Sequence, residues 1–88
     1  MKTTFRSSFL RDVKAIRDKH LSARLKKVIE QVEEADSLAS ILNVKQLRGE
    51  KDHYRIRIGE YRLAMVVQEE TVTFVRFLHR KDVYRYFP

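Results

Sequence analysis

Three arginines recur at a spacing that a β-hairpin would gather into one cluster. Arg55 and Arg57 alternate with apolar residues in the run His53-Tyr54-Arg55-Ile56-Arg57-Ile58, and Arg62 follows after Gly59-Glu60-Tyr61. Gly59-Glu60 has the composition of a two-residue type II′ turn with glycine first. Closing that turn pairs Ile58 with Tyr61, Arg57 with Arg62, Ile56 with Leu63 and Arg55 with Ala64. Successive strand side chains point to opposite faces. Tyr54, Ile56, Ile58, Tyr61, Leu63, Met65 and Val67 then share an apolar face, and Arg55, Arg57 and Arg62 share the other. Like charges directly opposite on a sheet destabilise it, so a facing Arg57–Arg62 pair predicts an anion site. The competing explanation is a solvated polar face relieved by nearby acids such as Glu60.

The end of the chain adds further candidates. If Glu69-Glu70 is another two-residue turn, Arg62 pairs with Phe77, His79 falls on the arginine face, and Arg80 reaches the site from the rim. Arg76 then points awkwardly toward the core. His79 is the one group here whose ordinary pKa lies near neutrality; the plainer alternative is a hydrogen-bonded histidine at a strand end. Tyr84, with Tyr86 and Phe87 after it, supplies an aromatic beside arginines, as base stacking requires. Anchoring of the tail in the core is the alternative.

These groups fit phosphodiester chemistry on RNA, which carries its own nucleophile in the 2′-hydroxyl. An enzyme need only remove that proton, stabilise the pentacoordinate phosphate and protonate the leaving 5′-oxygen. Guanidinium groups suit the charge stabilisation. Proton transfer needs a group that exchanges a proton, and arginine stays protonated.

Composition agrees with a polyanionic partner. The 88 residues carry 19 Lys and Arg against 12 Asp and Glu, a formal net charge of +7, and neutralising phosphates releases counterions. The absence of cysteine excludes a disulfide scaffold, a thiol nucleophile and thiolate metal ligands. No HExxH, P-loop or other cofactor motif occurs, so neither a metal nor a cofactor is expected. Without an export signal or a long apolar run, a cytoplasmic protein with no membrane association is expected.

The elements that must hold the cluster follow from periodicity. Residues 1–88 read as a single domain. Thr3 to Arg6 suits a short edge strand, and Ser7 a helix N-cap. Phe9, Val13 and Ile16 have helical spacing. After a break near Lys19-His20, Leu21, Leu25, Val28, Val32 and Ala35 form the stripe of a second helix. Residues 36–50 read as a connector with a short helical turn. Strands are expected over 53–58, 61–68 and 71–79, then a short helical turn and tail over 80–86. The expected fold is α+β, with the helical pair on one face of a four-stranded sheet.

The run His53-Tyr54-Arg55-Ile56-Arg57-Ile58-Gly59-Glu60-Tyr61-Arg62-Leu63, the ending Phe77-Leu78-His79-Arg80-Lys81-Asp82-Val83-Tyr84, and the segment Lys45-Gln46-Leu47-Arg48-Gly49 together resemble the RelE/ParE superfamily of type II toxins. The resemblance spans essentially the whole chain and is closest to the RelE type. It implies a metal-independent endoribonuclease that cuts mRNA in the ribosomal A site and halts translation, with a cognate antitoxin as partner. By that resemblance Arg55 and Arg57 serve proton removal or charge balance, and Arg62 supports the phosphate. Arg80 serves leaving-group protonation or charge stabilisation, and Tyr84 stacks on a base. The RelE pattern has lysines where this chain has Arg55 and Arg57. Proton removal is thus left without an owner or moves to His79. The alternatives within the superfamily are a ParE-like inhibitor of DNA gyrase and a catalytically weak RNA-binding relative.

Overall fold

The computed structural model describes residues 1–87. In chain order the elements are β1 (Lys2–Phe5), α1 (Ser7–Lys14), α2 (Lys19–Glu34), a 3₁₀ turn (Leu38–Ser40), β2 (Val44–Gln46), β3 (His53–Ile58), β4 (Tyr61–Gln68), β5 (Thr71–His79) and α3 (Val83–Tyr86). The strands form one sheet in the order β1-β5-β4-β3-β2, with β1 parallel to β5 and the other pairs antiparallel. Among the described residues no helix is long and apolar enough to cross a membrane.

Alternation along the strands separates two apolar clusters. Ile56, Ile58, Leu63, Met65, Val72, Phe74 and Phe77 face α1 and α2, where Phe9, Leu21, Leu25 and Val32 meet them. Each fully buried large side chain contributes about 2 kcal/mol. On the opposite face, Ala64, Val83 and Phe87 form a smaller cluster with Leu47, Val66, Val75 and Leu78. The helical pair therefore covers one face of an α+β sheet, as expected, while α3 covers part of the other.

The break before α2 has a local cause. The Asp18 carboxylate accepts from the backbone N–H groups of His20 and Leu21 at 2.9 and 3.2 Å, an N-cap worth about 1 kcal/mol. The start of α1 departs from expectation. Arg6 donates its N–H to the Phe74 carbonyl at 3.0 Å, extending the β1–β5 pairing by one residue. Arg6, not Ser7, then occupies the cap position. Ser8 donates its hydroxyl to the Val75 carbonyl at 2.7 Å, serving the β5 edge that β1 no longer covers.

The sheet has five strands rather than the four expected. The additional strand, β2, lies in the segment read as a connector, and only its pairing with β3 makes it a strand. Both two-residue turns are as expected. Gly59 takes φ +60°, as the first position of a II′ turn requires. Glu69 and Glu70 take φ +48° and +69° without the freedom of glycine.

The register of β5 differs from a simple hairpin. Met65 pairs with Phe74, but the preceding residue of β4, Ala64, pairs with Arg76, leaving Val75 as an extra residue. This bulge reverses the alternation of everything after it. Arg76 consequently points away from the main core. Its Nε and Nη2 donate to the Asp12 carboxylate at 2.8 and 3.0 Å. The same carboxylate accepts the Phe77 N–H at 2.9 Å, and the guanidinium lies 5.0 Å over the Tyr86 ring. The hydrogen bond that Arg76 donates to the Asp12 carboxylate holds its guanidinium above the ordinary pKa range, against the opposing effect of burial.

Candidate functional site

The β3–β4 register is the one that the arginine spacing demands. Arg57 is the direct partner of Arg62, and Arg55 is the partner of Ala64. All three therefore stand on the face opposite the main core. Ile56, Ile58 and Leu63, their immediate neighbours in sequence, are buried on the other side, which fixes the orientation of the arginines. A one-residue slip would bury three guanidiniums.

Arg62 is the centre of the cluster. Its Nη1 donates to the carbonyls of Gly59 and Tyr61 at 2.9 and 3.0 Å, so the turn that creates the hairpin also aims the side chain. Among the described residues the rest of its fork has no hydrogen-bond partner, leaving donors for an anion. Partial burial pushes the Arg62 guanidinium below its ordinary range. Arg55 acts in the same direction, Tyr84 opposes, and Arg57 and Arg80 add to the lowering. Four of the expected site residues thus lie within electrostatic reach of Arg62.

Arg80 enters from the rim. Its backbone N–H donates to the Glu60 carbonyl at 2.8 Å, and its Nε pairs with Glu60 Oε2 at 2.8 Å. Both side chains are more than half exposed, and such a surface pair contributes little. Glu60 therefore relieves Arg80 rather than the Arg57–Arg62 pair, contrary to the account of a neutralised polar face. Tyr84 is 55% exposed. It is held out from α3 because Val83 and Phe87, one helical turn apart, are buried against the sheet. A rigid aromatic presented to solvent beside cations is suited to stacking on a base.

His79 does not join this face. The Val75 bulge pairs Arg62 with Leu78 rather than Phe77, and His79 with Tyr61, a residue of the helix-covered side. Its ring meets the Tyr61 ring edge-on at 5.6 Å, and Nδ1 accepts the Lys81 N–H at 3.1 Å. This is the hydrogen-bonded histidine at a strand end, and the structure gives it no place among the arginines.

Three basic residues outside the expected set, Arg24, Lys45 and Arg48, line the same surface. Arg24 of α2 reaches over the hairpin turn, its Nη1 3.0 Å from where a Cβ of Gly59 would stand. It joins Asn43, Arg57, Gly59, Glu60, Arg62 and Arg80 around a hollow of about 400 Å³. A neighbouring hollow of about 330 Å³ is lined by Lys45, Gln46, Leu47, Arg48, Arg55 and Tyr84. Helix packing brings Arg24 there, and the unforeseen pairing of β2 with β3 brings Lys45 and Arg48, whose segment the resemblance had singled out without giving either residue a role. Among the described residues, no three His, Asp or Glu side chains gather as a metal site would require.

The chain belongs to the RelE/ParE superfamily of type II toxins, as a family model over most of its length and a relative 39% identical across the whole chain show. The family model described as "ParE toxin of type II toxin-antitoxin system, parDE" matches residues 4–84. Among individual relatives, the chain is 39% identical to Toxin RelE3 of Methanocaldococcus jannaschii across the whole of both chains. The toxin fold in the crystal structure of a RelB-RelE antitoxin-toxin complex from Methanococcus jannaschii matches with TM-score 0.82 and 38% identity. That match covers 97% of this chain and 99% of the other. The YoeB dimer from Staphylococcus aureus shares the fold, with TM-score 0.74 at 19% identity over 91% and 97% of the two chains. The chain is thus a type II toxin of the RelE type, as its hairpin and ending imply.

Proposed function

We propose that this toxin is an endoribonuclease that cuts mRNA in the ribosomal A site, by attack of the RNA 2′-hydroxyl on the adjacent phosphate. The observation that carries the reading is the facing Arg57–Arg62 pair, left without a neutralising carboxylate and flanked by Arg55, Arg80 and the exposed Tyr84. Two guanidiniums held against their own repulsion are an electrostatic arrangement that a doubly negative pentacoordinate phosphate would relieve. Tyr84 would stack on a base and hold the scissile bond in register. A cognate antitoxin of the RelB kind is the regulatory partner, a cytoplasmic setting follows from the substrate, and residues 1–88 act as one toxin domain.

Cell-free translation with mapping of mRNA ends tests this. Codon-phased cuts that depend on Arg62 support the reading, and intact mRNA under full inhibition of translation rejects it. A second reading, inhibition of DNA gyrase, is favoured by the ParE family match. It predicts intact mRNA together with a block in DNA supercoiling.

A further inference from the structure

Apart from the Tyr84 phenol, the described groups of the arginine face are guanidiniums that keep their protons, and β2 adds an ammonium. Lys45 is the direct partner of Arg55 across the β2–β3 ladder. Residues opposite one another on antiparallel strands share a face, so Lys45 stands on the arginine side. It lines the smaller hollow together with Arg48, Arg55 and Tyr84. Among the described residues it has no salt-bridge partner, the ion pairs there being Arg76–Asp12 and Arg80–Glu60.

The Lys45–Arg55 pair repeats, one strand further out, the opposition of Arg57 and Arg62. Two like-charge pairs side by side on one face are costly to a structural sheet and useful to one that receives a phosphodiester chain. The two pairs differ in chemistry. Every other cation lining the two hollows is a guanidinium, which does not exchange its proton, whereas an ammonium does. His79, the earlier candidate for proton transfer, stands on the other face.

Resting on the RNA-cleaving reading above, we propose that Lys45 is the general acid of the site, protonating the 5′-oxygen that leaves when the phosphodiester breaks. The 2′-oxygen forms its bond to phosphorus and loses its proton to solvent. The P–O5′ bond breaks, its electron pair stays on O5′, and O5′ takes a proton from Lys45 Nζ. The amine then regains a proton from water. The products are a 2′,3′-cyclic phosphate and a 5′-hydroxyl.

The test compares wild type with Lys45→Arg and Lys45→Gln under single-turnover conditions on ribosome-bound mRNA. A matched mRNA carries one 5′-bridging phosphorothiolate at the cut site, whose sulfur leaves without protonation. Lys45→Arg keeps the charge and loses the transferable proton, so it is expected to cut normal RNA about a hundredfold more slowly. Lys45→Gln should match it. Binding of a 2′-deoxy analogue should survive in Lys45→Arg, and the phosphorothiolate should restore its cleavage. Three outcomes overturn the assignment: Lys45→Arg cutting at the wild-type rate, a slowed variant that the phosphorothiolate fails to rescue, or rescue of Tyr84→Phe in its place, which would make the phenol the donor. Wild-type protein that leaves both RNAs intact instead rejects the ribonuclease reading, and the assignment with it.

Discussion

Arg57 stands directly across the β3–β4 ladder from Arg62, and the carboxylate at their turn, Glu60, pairs with Arg80 instead. The sheet therefore holds an uncompensated repulsion at the site where the phosphate is expected to bind.

Removing one side of that repulsion should separate activity from stability. Arg62→Ala is expected to abolish mRNA cleavage while leaving the thermal midpoint unchanged or slightly raised. Facing like charges cost up to about 1 kcal/mol, offset by the lost bonds of Arg62 to the turn carbonyls. Thermal unfolding alongside a cleavage assay checks this, and an unfolded variant would mean that the arginine face is structural.

His79→Ala provides the contrasting case. With His79 turned toward Tyr61 and bonded to the Lys81 N–H, its loss should leave the pH–rate profile in shape and position. The rate should fall far less than the roughly hundredfold expected for a missing acid or base. A vanished acidic limb would return the histidine to the mechanism.

Arg24→Ala should weaken RNA binding across sequences. Each phosphate contact contributes about one unit to the slope of log affinity against log salt, so titration at several salt concentrations should show the slope reduced by about one. Gly59→Ala should do likewise through displacement of the Arg24 guanidinium, since the new methyl would sit 3.0 Å from Nη1. It also strains a backbone at φ +60°.

Asp12 is the stability hub outside the site. One carboxylate, 9% exposed, receives two bonds from Arg76 and one from the Phe77 N–H. Asp12→Ala leaves a half-buried guanidinium unpaired and should cost about 3 kcal/mol in denaturant unfolding. A loss below about 0.5 kcal/mol, the level of an ordinary surface substitution, would show that solvent replaces the carboxylate.

The β4–β5 turn can be relaxed independently. Glu69 and Glu70 both occupy left-handed backbone, which Asn-Gly adopts with little strain. The double replacement by Asn and Gly should stabilise the fold by about 1 kcal/mol and leave cleavage intact, since the turn lies at the far end of the strands from the Gly59 hairpin. Chemical denaturation measures the gain.

The α+β class, the helical hairpin, strands β3, β4 and β5, and the Arg57–Arg62 opposition were all legible in the sequence. Each follows from periodicity and short-range turn chemistry, where a two-residue turn dictates which residues face one another. Tertiary structure decided the rest. β2 is three residues long with no alternation of its own, and it exists because β3 offers an open edge; with it came Lys45 and Arg48. The Val75 bulge has no glycine to announce it. It suits the packing of α1 against the uncovered β5 edge, where Ser8 and Asp12 take up the backbone groups of Val75 and Phe77. That one extra residue moved His79 off the arginine face and gave Arg76 its partner in Asp12. The arginine hairpin is local and thus written in the sequence, whereas the groups that surround it depend on contacts between distant segments.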